Sequence, residues 1–325
     1  MTNATKTPKF QDARMVSSRR EEIIGASWRY VVIIIAIFFA LFPVLFIFSS
    51  ALNPSGQLST QGLIPNVDDP ARLLDNFKAL LIDDLELYPF WYWIGNSFIV
   101  AGISTVLTTL ITALSAYSFS RFRFRGRKEL LLGIRLVQVF PNLLALVALY
   151  LILQQIKEVS TTLNELLPIL GPNTWTWIQS FGLNSLGGVI LVYMAGAMGI
   201  NTLLMKGFLD TIPKEIDESA TVDGATHWQI FWTLIFPLIR PILAVVGVLA
   251  FVGTFNEFVL ARIILRDKEN WTLMVGLFNF INADFNRDWG KFAAGAIVAA
   301  VPVIALYLAL QDQIVGGLTQ GAVKG

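Results

Sequence analysis

The sequence predicts an all-α, polytopic membrane protein with about six transmembrane helices. Only 14% of its 325 residues are charged, whereas soluble domains carry about 25% charged residues, and the mean hydropathy is +0.63. The apolar residues are also clustered, because Tyr30 to Ala51 contains no charge, and about 20 such residues span a bilayer as a helix. Most of the chain is therefore expected to contact membrane lipid.

Apolar runs predict the positions of the six helices. The predicted spans are 30–51, 91–120, 132–153, 187–205, 242–261 and 292–310. The first run is longer than the apolar core of a cleavable signal sequence, about 7–15 residues, so it is expected to stay as a span. The predicted parts of the chain are an N-terminal segment 1–29, a transmembrane domain 30–312 and a C-terminal tail 313–325.

Lysine and arginine residues are distributed unequally between the two predicted sides of the membrane. A basic cluster at 121–128 lies between two apolar runs, and such clusters are typical of cytoplasmic loops. With both termini inside, the inner segments hold 15 Lys and Arg residues and the outer segments hold 8. This bias predicts cytoplasmic N and C termini. The outer segment 262–291 is itself basic, and charge alone does not account for it.

The sequence lacks the patterns that carry common catalytic chemistry. There are no cysteines and a single histidine, His227, which excludes thiolate and multi-histidine metal sites. No G-x-x-x-x-G-K-[ST] loop occurs, and that loop is how backbone amides and a lysine hold ATP phosphates. The net charge of +1 gives no indication of nucleic-acid binding. We expect a chain with no enzyme activity and no cofactor of its own, which would need a partner or an ion gradient to drive uphill transport.

Residues 211–237 are unusually polar for a segment between two apolar runs, and they predict a pair of short helices. Thr211 is a suitable N-cap for the first helix, and Pro213 suits its first turn, where no N–H is needed. Acidic residues follow near the positive end of that helix. Gly224 can adopt the left-handed conformation that ends it.

The second helix of this segment is predicted to begin at Thr226. Gln229 lies three residues later, which is a capping-box pattern, and Pro237 and Pro241 are expected to end the helix. Two capped helices joined by one glycine predict a rigid bracket rather than a flexible tether. A stiff element with two positions can transmit a push from a partner.

The motif E-S-A-T-V-D-G at 218–224, followed after nine residues by L-I-F-P at 234–237, resembles the EAA loop of ATP-binding-cassette (ABC) importer permeases. Three departures from that pattern, Ser219, Leu234 and Phe236, keep the approximate size or hydrophobicity of the residues they replace. In this family the loop forms a coupling helix that docks into a cleft on the ATPase subunit. The ATPase-coupling residues that the resemblance implies are Glu218, Ser219, Ala220, Asp223, Gly224 and Pro237.

Other segments resemble the carbohydrate-specific permeases of this family. Residues 116–126 are similar to the exit of their second span, and 139–141 and 147–150 resemble their third span. Residues 263–267 and the tail 316–325 are similar to the maltose/maltodextrin branch, in which the tail reaches the ATPase dimer.

This resemblance implies a type I ABC importer permease fold in a bacterial inner membrane. It also implies three kinds of partner: a second permease subunit, two ATPase subunits that bind the ATP and Mg, and an extracytoplasmic sugar-binding protein. Maltose or maltodextrin is the substrate that it favours, with trehalose and other oligosaccharides as alternatives.

Four residues are candidates for the wall of a sugar pathway. Asn256 and Glu257 lie within the predicted fifth span, where a charge costs at least about 2.5–3.5 kcal/mol and usually faces a cavity or a partner. They form either a polar wall or a structural pair near the outer boundary. Tyr150 and Tyr193 either stack on a sugar ring or pack as interface aromatics. In the maltodextrin relatives the paired subunit holds most of the sugar, which weighs against each of these roles.

Three functions are compatible with these observations: half of an ABC permease, an ion-coupled secondary transporter, and a non-transporting membrane scaffold. Secondary transporters often contain internal repeats and helices broken at mid-membrane, and the sequence shows neither clearly. A scaffold would not need polar residues inside its spans. Neighbouring genes for an ATPase and a binding protein would favour the first function, and uptake that follows an ion gradient would favour the second.

Overall fold

The protein is helical, with no strand in the residues that the computed structural model describes. These residues are 11–54, 64–65, 69–139, 142–166, 176–196, 199–282 and 287–322, with the backbone alone described for 11–27, 142–143 and 312–322. The side chains of the predicted C-terminal tail, 313–325, and residues 1–10 of the predicted N-terminal segment lie outside this description.

Fourteen α-helices form the described part of the chain. They are α1 (Gln11–Ala51), α2 (Asp75–Lys78), α3 (Phe90–Arg121), α4 (Arg127–Val139), α5 (Asn142–Leu166), α6 (Leu186–Ala195), α7 (Ile200–Leu209), α8 (Glu215–Val222), α9 (His227–Ile230), α10 (Phe236–Leu238), α11 (Arg240–Phe255), α12 (Val259–Ile264), α13 (Leu273–Ile281) and α14 (Trp289–Ala322). Short 3-10 or π-helical turns occupy Pro70–Arg72, Ala79–Asp83, Thr176–Phe181, Phe231–Ile235 and Lys268–Asn270.

Up to six membrane spans fit the described helices by length and composition. Four single helices qualify: Trp28–Ala51, Phe90–Arg121, Leu144–Leu166 and Trp289–Gln311. Two further pairs qualify as bent spans: Leu186–Ala195 with Ile200–Leu209, bent by 52°, and His227–Leu238 with Arg240–Phe255, bent by 79°. Counting each bent pair as one span gives the predicted number of six.

The predicted third span, 132–153, covers parts of α4 and α5 and ends too early. The described part of α4 ends at Val139, and residues 140–141 lie outside the described residues. The span that follows continues to Leu166. It continues through polar residues because they are satisfied within the helix: Gln154 donates to the Glu158 carboxylate at 2.9 Å.

The predicted fifth span, 242–261, is interrupted. Helix α11 ends at Phe255 and α12 begins at Val259, so Asn256 and Glu257 lie in the break instead of inside a helix. The Glu257 carboxylate accepts the backbone N–H groups of Leu260 at 2.8 Å and Ala261 at 3.1 Å. A side chain that satisfies the free N–H groups of a new helix favours starting that helix over extending the old one.

Helix α3 is the central element, and it packs against α6, α7, α11 and α13. It has 32 residues, so its ends lie about 48 Å apart at the helical rise per residue. One buried apolar cluster, which includes Phe90 and Trp93, surrounds its beginning. A second cluster, which includes Tyr117 and Phe231, surrounds its end. The two clusters therefore define two opposite ends of the molecule.

Specific contacts account for much of the positive charge in the predicted outer segment 262–291. Lys291 lies 3.1 Å from Asp84 and 3.5 Å from Asp288. The guanidinium of Arg262 lies over the Trp271 ring, 5.4 Å from its centroid. These cations are held by carboxylates and an aromatic face of the same end of the protein, which explains why they need not follow the charge bias of the loops.

Asn184 fixes the segment that joins α12 to α13. Its backbone is left-handed, with a φ of 64°, a conformation that asparagine tolerates better than most residues. The Asn184 Oδ1 atom accepts the N–H groups of Arg266 at 2.8 Å and Asp267 at 3.1 Å, and its carbonyl accepts from the Asn270 side chain at 3.0 Å. The side chain and the backbone carbonyl of Asn184 thus hold this loop in place beside the beginning of α3.

Candidate functional site

The first helix of the bracket, residues 211–237, begins about one turn later than the sequence predicts. Thr211 does not cap the first helix, because its hydroxyl donates to the Phe208 carbonyl at 2.7 Å and closes the preceding helix α7 instead. Lys214 is the N-cap of α8 and makes no side-chain cap hydrogen bond. Three carboxylates in the first turn of α8 are favourable there because they face the positive end of the helix dipole.

The elbow of the bracket is formed by Gly224, as the sequence predicts. Its φ is +85°, its N–H donates to the Thr221 carbonyl at 3.0 Å, and the Ala225 N–H donates to the Ala220 carbonyl at 3.0 Å. These two bonds form a Schellman motif, in which the left-handed residue is usually glycine. The elbow therefore has one defined angle.

The second arm of the bracket begins at Thr226, and the predicted capping box is confirmed. The Thr226 N–H donates to the Gln229 side chain at 2.8 Å, and the Gln229 N–H donates to the Thr226 hydroxyl at 3.3 Å. The second arm ends at Leu238, between Pro237 and Pro241, as the sequence predicts. A π-helical turn immediately before Pro237 widens the helix where a residue without an N–H follows.

Buried polar contacts join the bracket to the end of α3. The Arg121 Nε atom lies 2.9 Å from the Asp217 carboxylate, and the two side chains are 5% and 14% exposed. The second Asp217 oxygen accepts the Tyr117 hydroxyl at 3.4 Å. Arg121 also donates to the Ile212 carbonyl at 3.1 Å. Two residues of α3 thus hold both the entrance of the bracket and its first helix.

A second polar contact joins the end of α7 to the end of α3. The Asp210 carboxylate accepts from Lys206 at 2.5 Å and from the Ser120 hydroxyl at 2.6 Å. Burial alone would raise the pKa of Asp210, but the hydrogen bonds from Lys206 and Ser120 outweigh it and lower that pKa. Asp210 therefore stays charged at neutral pH and keeps both contacts.

The bracket buries one face and presents the other to solvent. Ile230, Phe231 and Ile235 are fully buried in the cluster around the end of α3. On the opposite side Val222 is 88% exposed and Trp228 is 62% exposed. Among the predicted coupling residues, Ala220 is half-buried, and the exposed ones are Glu218, Ser219, Asp223, Gly224 and Pro237. The motif is therefore available to a partner.

A cleft of about 800 Å³ lies between α3, α5, α6, α7, α11 and α12. Its walls are mainly apolar, and its polar side chains are Thr108, Tyr193, Asn201, Thr254 and Glu257. The Tyr193 hydroxyl donates to the Glu257 carboxylate at 2.5 Å. The structure thus brings together two of the four residues predicted to line a pathway, and it places the Glu257 carboxylate in the cleft, just after α11 ends.

The other two predicted pathway residues lie apart from this cleft. The Tyr150 hydroxyl contacts Arg266, whose guanidinium also lies 5.5 Å from the centre of the tyrosine ring. Asn256 caps α11 by donating to the Val252 carbonyl at 3.0 Å, and it opens onto a separate apolar cavity of about 430 Å³. Tyr150 has a role in holding the loop before α13, and Asn256 has a role in ending α11.

Sequence reasoning missed the Arg121–Asp217 contact. Arg121 belongs to a basic cluster that indicates topology, and Asp217 belongs to an acidic helix start, so each has a sufficient explanation alone. One signal could have suggested the contact. Arg121 follows directly after the predicted span 91–120 and is four residues from Tyr117, so the two side chains share a face if the helix extends by one residue.

Comparison with known proteins agrees with this architecture. The family described as "Binding-protein-dependent transport system inner membrane component" matches residues 105–318. A solved structure of a bacterial ABC transporter involved in the import of the acidic polysaccharide alginate has a similar fold. Its TM-score is 0.67 and its identity 23%, over 95% of this chain and 100% of that chain.

Curated relatives cover nearly the whole chain. The maltose/maltodextrin transport system permease protein MalG of Photorhabdus laumondii is 36% identical over 88% of this chain and 91% of its own length. MalG of Escherichia coli is 34% identical over 98% of both chains. The galactooligosaccharides transport system permease protein GanQ of Bacillus subtilis is 36% identical over 87% of this chain and 90% of its own.

These matches confirm the resemblance that the motif at 218–237 indicates and the predicted all-α permease fold. The family is one of inner-membrane transport components, and the relatives at about 35% identity are permease proteins. The chain therefore belongs to the family of binding-protein-dependent transport system inner membrane components, the permease subunits of ABC importers.

Proposed function

We propose that this chain forms half of the translocation pathway of an ATP-driven sugar importer and is coupled to the ATPase through the bracket. The observation that carries this proposal is the construction of the bracket itself. It is capped at the elbow and at its second arm, buried on one face, and exposed where the motif residues Glu218 and Gly224 lie. A stiff, exposed element of this kind can be displaced as a rigid body by a partner that binds it.

The proposed assembly has four further subunits. A second permease chain completes the pathway, two ATPase subunits bind ATP and Mg, and an extracytoplasmic binding protein delivers the sugar. ATP binding would close the ATPase dimer and displace the bracket. The spans attached to it would then change from an inward-open to an outward-open arrangement, as a rigid-body rearrangement of packed helices.

The proposed orientation places the bracket and both termini in the cytoplasm. The basic cluster at 121–128 begins at the end of α3, where Arg121 contacts Asp217 of the bracket. The loop before α13 contacts the opposite end of α3, where the Trp93 indole donates to the Lys268 carbonyl at 2.8 Å. Placing the basic cluster inside, as loop charge favours, therefore also places the bracket inside.

The test of this function is reconstitution of the full complex in proteoliposomes. We expect sugar uptake that requires ATP on the bracket side and is unchanged when ion gradients are collapsed with ionophores. Uptake that follows an ion gradient and ignores ATP would contradict the proposal and favour a secondary transporter.

The proposed sugar is maltose or maltodextrin, because several relatives are permeases named for these sugars. A thermal-shift screen of the cognate binding protein tests this directly, since a bound ligand raises apparent stability. Maltose and maltotriose are expected to raise the Tm. A rise with galactooligosaccharides alone, the substrate named for the Bacillus relative, would contradict the assignment and leave the permease function in place.

We propose that the residues lining the cleft around Glu257 form this subunit's part of the pathway wall. We expect Tyr193→Phe to lower uptake about tenfold, because a hydrogen bond to a charged group contributes about 1.5–3 kcal/mol. This change keeps the aromatic ring but removes the donor that fixes the Glu257 carboxylate at 2.5 Å. Uptake of labelled maltose at equal complex concentration is the measurement.

The control for this prediction is Tyr307→Phe. Tyr307 lies on α14 and is 54% exposed, so loss of its hydroxyl is expected to leave uptake unchanged. Wild-type uptake by both variants would show that the Tyr193 hydroxyl does not contribute to the pathway.

A further inference from the structure

The contact between α3 and the bracket is charged and almost fully buried. It joins the last turn of α3 to the first turn of α8 through Arg121 and Asp217, with Tyr117 as a second donor to the same carboxylate. Neither Tyr117 nor Asp217 belongs to the predicted set of coupling residues, and no exposed surface is needed for their contact. The contact thus joins two parts of this chain, and Tyr117, Arg121 and Asp217 line one side of a recess of about 300 Å³ that Glu218 also borders.

Stability alone does not explain a buried ion pair at this position. Removing two charges from water carries a penalty that their attraction often only balances, so apolar replacements of both residues are frequently neutral or stabilising. Here the match is also incomplete. Among the described residues, the buried Arg121 Nη1 atom has no hydrogen-bond partner, and the Nε atom is close to the carboxylate without being aligned as a hydrogen bond.

The position of the cluster is informative because α3 continues from it into the cleft. Thr108 of α3 lines the cleft and lies about 20 Å from Arg121 along the helix axis. Arg121 contacts the bracket at two points, the Ile212 carbonyl at its entrance and Asp217 in its first helix. Contacts at two points resist both sliding and rotation of one element against the other.

We propose that Arg121 and Asp217, together with Tyr117, are positioning residues that make α3 and the bracket move as one body. Displacement of the bracket by the ATPase is then delivered to the second span and to the cleft wall. Without the cluster the bracket would still bind the ATPase, and the ATPase would still hydrolyse ATP. The displacement of α8 would no longer be transmitted to α3. This inference rests on the proposed function.

The test uses the complete complex in proteoliposomes with its binding protein and labelled maltose. A triple variant, Tyr117→Phe with Arg121→Met and Asp217→Leu, removes all three polar groups and leaves no buried charge unpaired. We expect normal assembly and an unchanged Tm, as for other apolar replacements of buried pairs. ATP hydrolysis should continue, while maltose transported per ATP should fall about 5- to 150-fold, the usual range of coupling between two sites.

Two further variants separate a positioning role from a structural one. Asp217→Glu keeps the charge and is expected to recover much of the maltose transported per ATP. Arg123→Met removes one positive charge two residues from Arg121 at an exposed position, and it is expected to transport maltose per ATP as the wild type does.

The outcomes are distinguishable. Wild-type maltose transport per ATP in the triple variant would overturn the inference, and so would a loss of assembly or Tm that parallels the loss of uptake. Failure of the wild-type complex to take up any sugar with ATP would overturn the proposed function instead, and failure with maltose alone would overturn only the proposed sugar.

Discussion

Gly224→Val is expected to abolish sugar uptake while the complex still assembles and hydrolyses ATP. The Gly224 φ of +85° is unfavourable for a β-branched residue by about 1–3 kcal/mol. A Cβ atom there would meet no atom of the described residues within 4 Å, so the effect comes from backbone strain and not from a clash. Relaxation of that strain would change the angle between the two arms, so displacement of the first arm by the ATPase would no longer be passed to the spans. Uptake and ATP hydrolysis in proteoliposomes are the measurements.

Gly126→Val provides the matched control for the elbow. Gly126 has a φ of +82°, and a Cβ atom added there would likewise meet no neighbour within 4 Å, so the two substitutions introduce the same strain. Gly126 lies before α4 and outside the bracket, and uptake is expected to persist in this variant. Equal loss of uptake in both variants would mean that backbone strain, and not the elbow, causes the defect.

Glu218→Lys is expected to reduce uptake to background without affecting insertion. Glu218 is exposed in the first turn of α8 and borders a shallow recess of about 300 Å³ with Lys214 and His227. We propose that Glu218 faces a cation of the ATPase. Reversal of its charge would then oppose like charges across the interface, which costs several kcal/mol, or on the order of 100-fold or more in affinity. Co-purification of the ATPase subunit and maltose uptake are measured together.

Glu215→Lys controls for the helix dipole. Glu215 lies in the same first turn and is also exposed, so the dipole effect of about 0.3–1 kcal/mol applies to both reversals. Full uptake and normal ATPase co-purification are expected for this variant. If Glu218→Lys behaved in the same way, the assignment of Glu218 to the ATPase contact would be wrong.

The sequence predicted the parts of the fold that depend on local chemistry. Gly224 and the Thr226–Gln229 capping box were predictable because a left-handed residue and a cap each need particular side chains. The apolar runs predicted six spans, which is the number that the described helices give when each bent pair counts as one span. The break at Glu257 was not predictable, since periodicity places a polar residue inside a span without showing that its carboxylate starts a new helix.

The candidate sites were only partly predictable, because their contacts join distant parts of the chain. Tyr193 and Glu257 are 64 residues apart, and Tyr117 and Asp217 are 100 residues apart. For Tyr150 the sequence left two roles open, a sugar contact or packing as an interface aromatic. Its aromatic ring suited a sugar contact by residue type, but Arg266 occupies it.

The central claim, that the bracket lies on the inner face and docks on the ATPase, is tested most directly by thiol labelling. The chain contains no cysteine, so Val222→Cys provides a single thiol at a position that is 88% exposed on the bracket. We predict that a membrane-impermeant maleimide labels it in inside-out vesicles only, and that the bound ATPase subunit protects it. Labelling in right-side-out vesicles, or labelling that the ATPase leaves unchanged, would contradict the account.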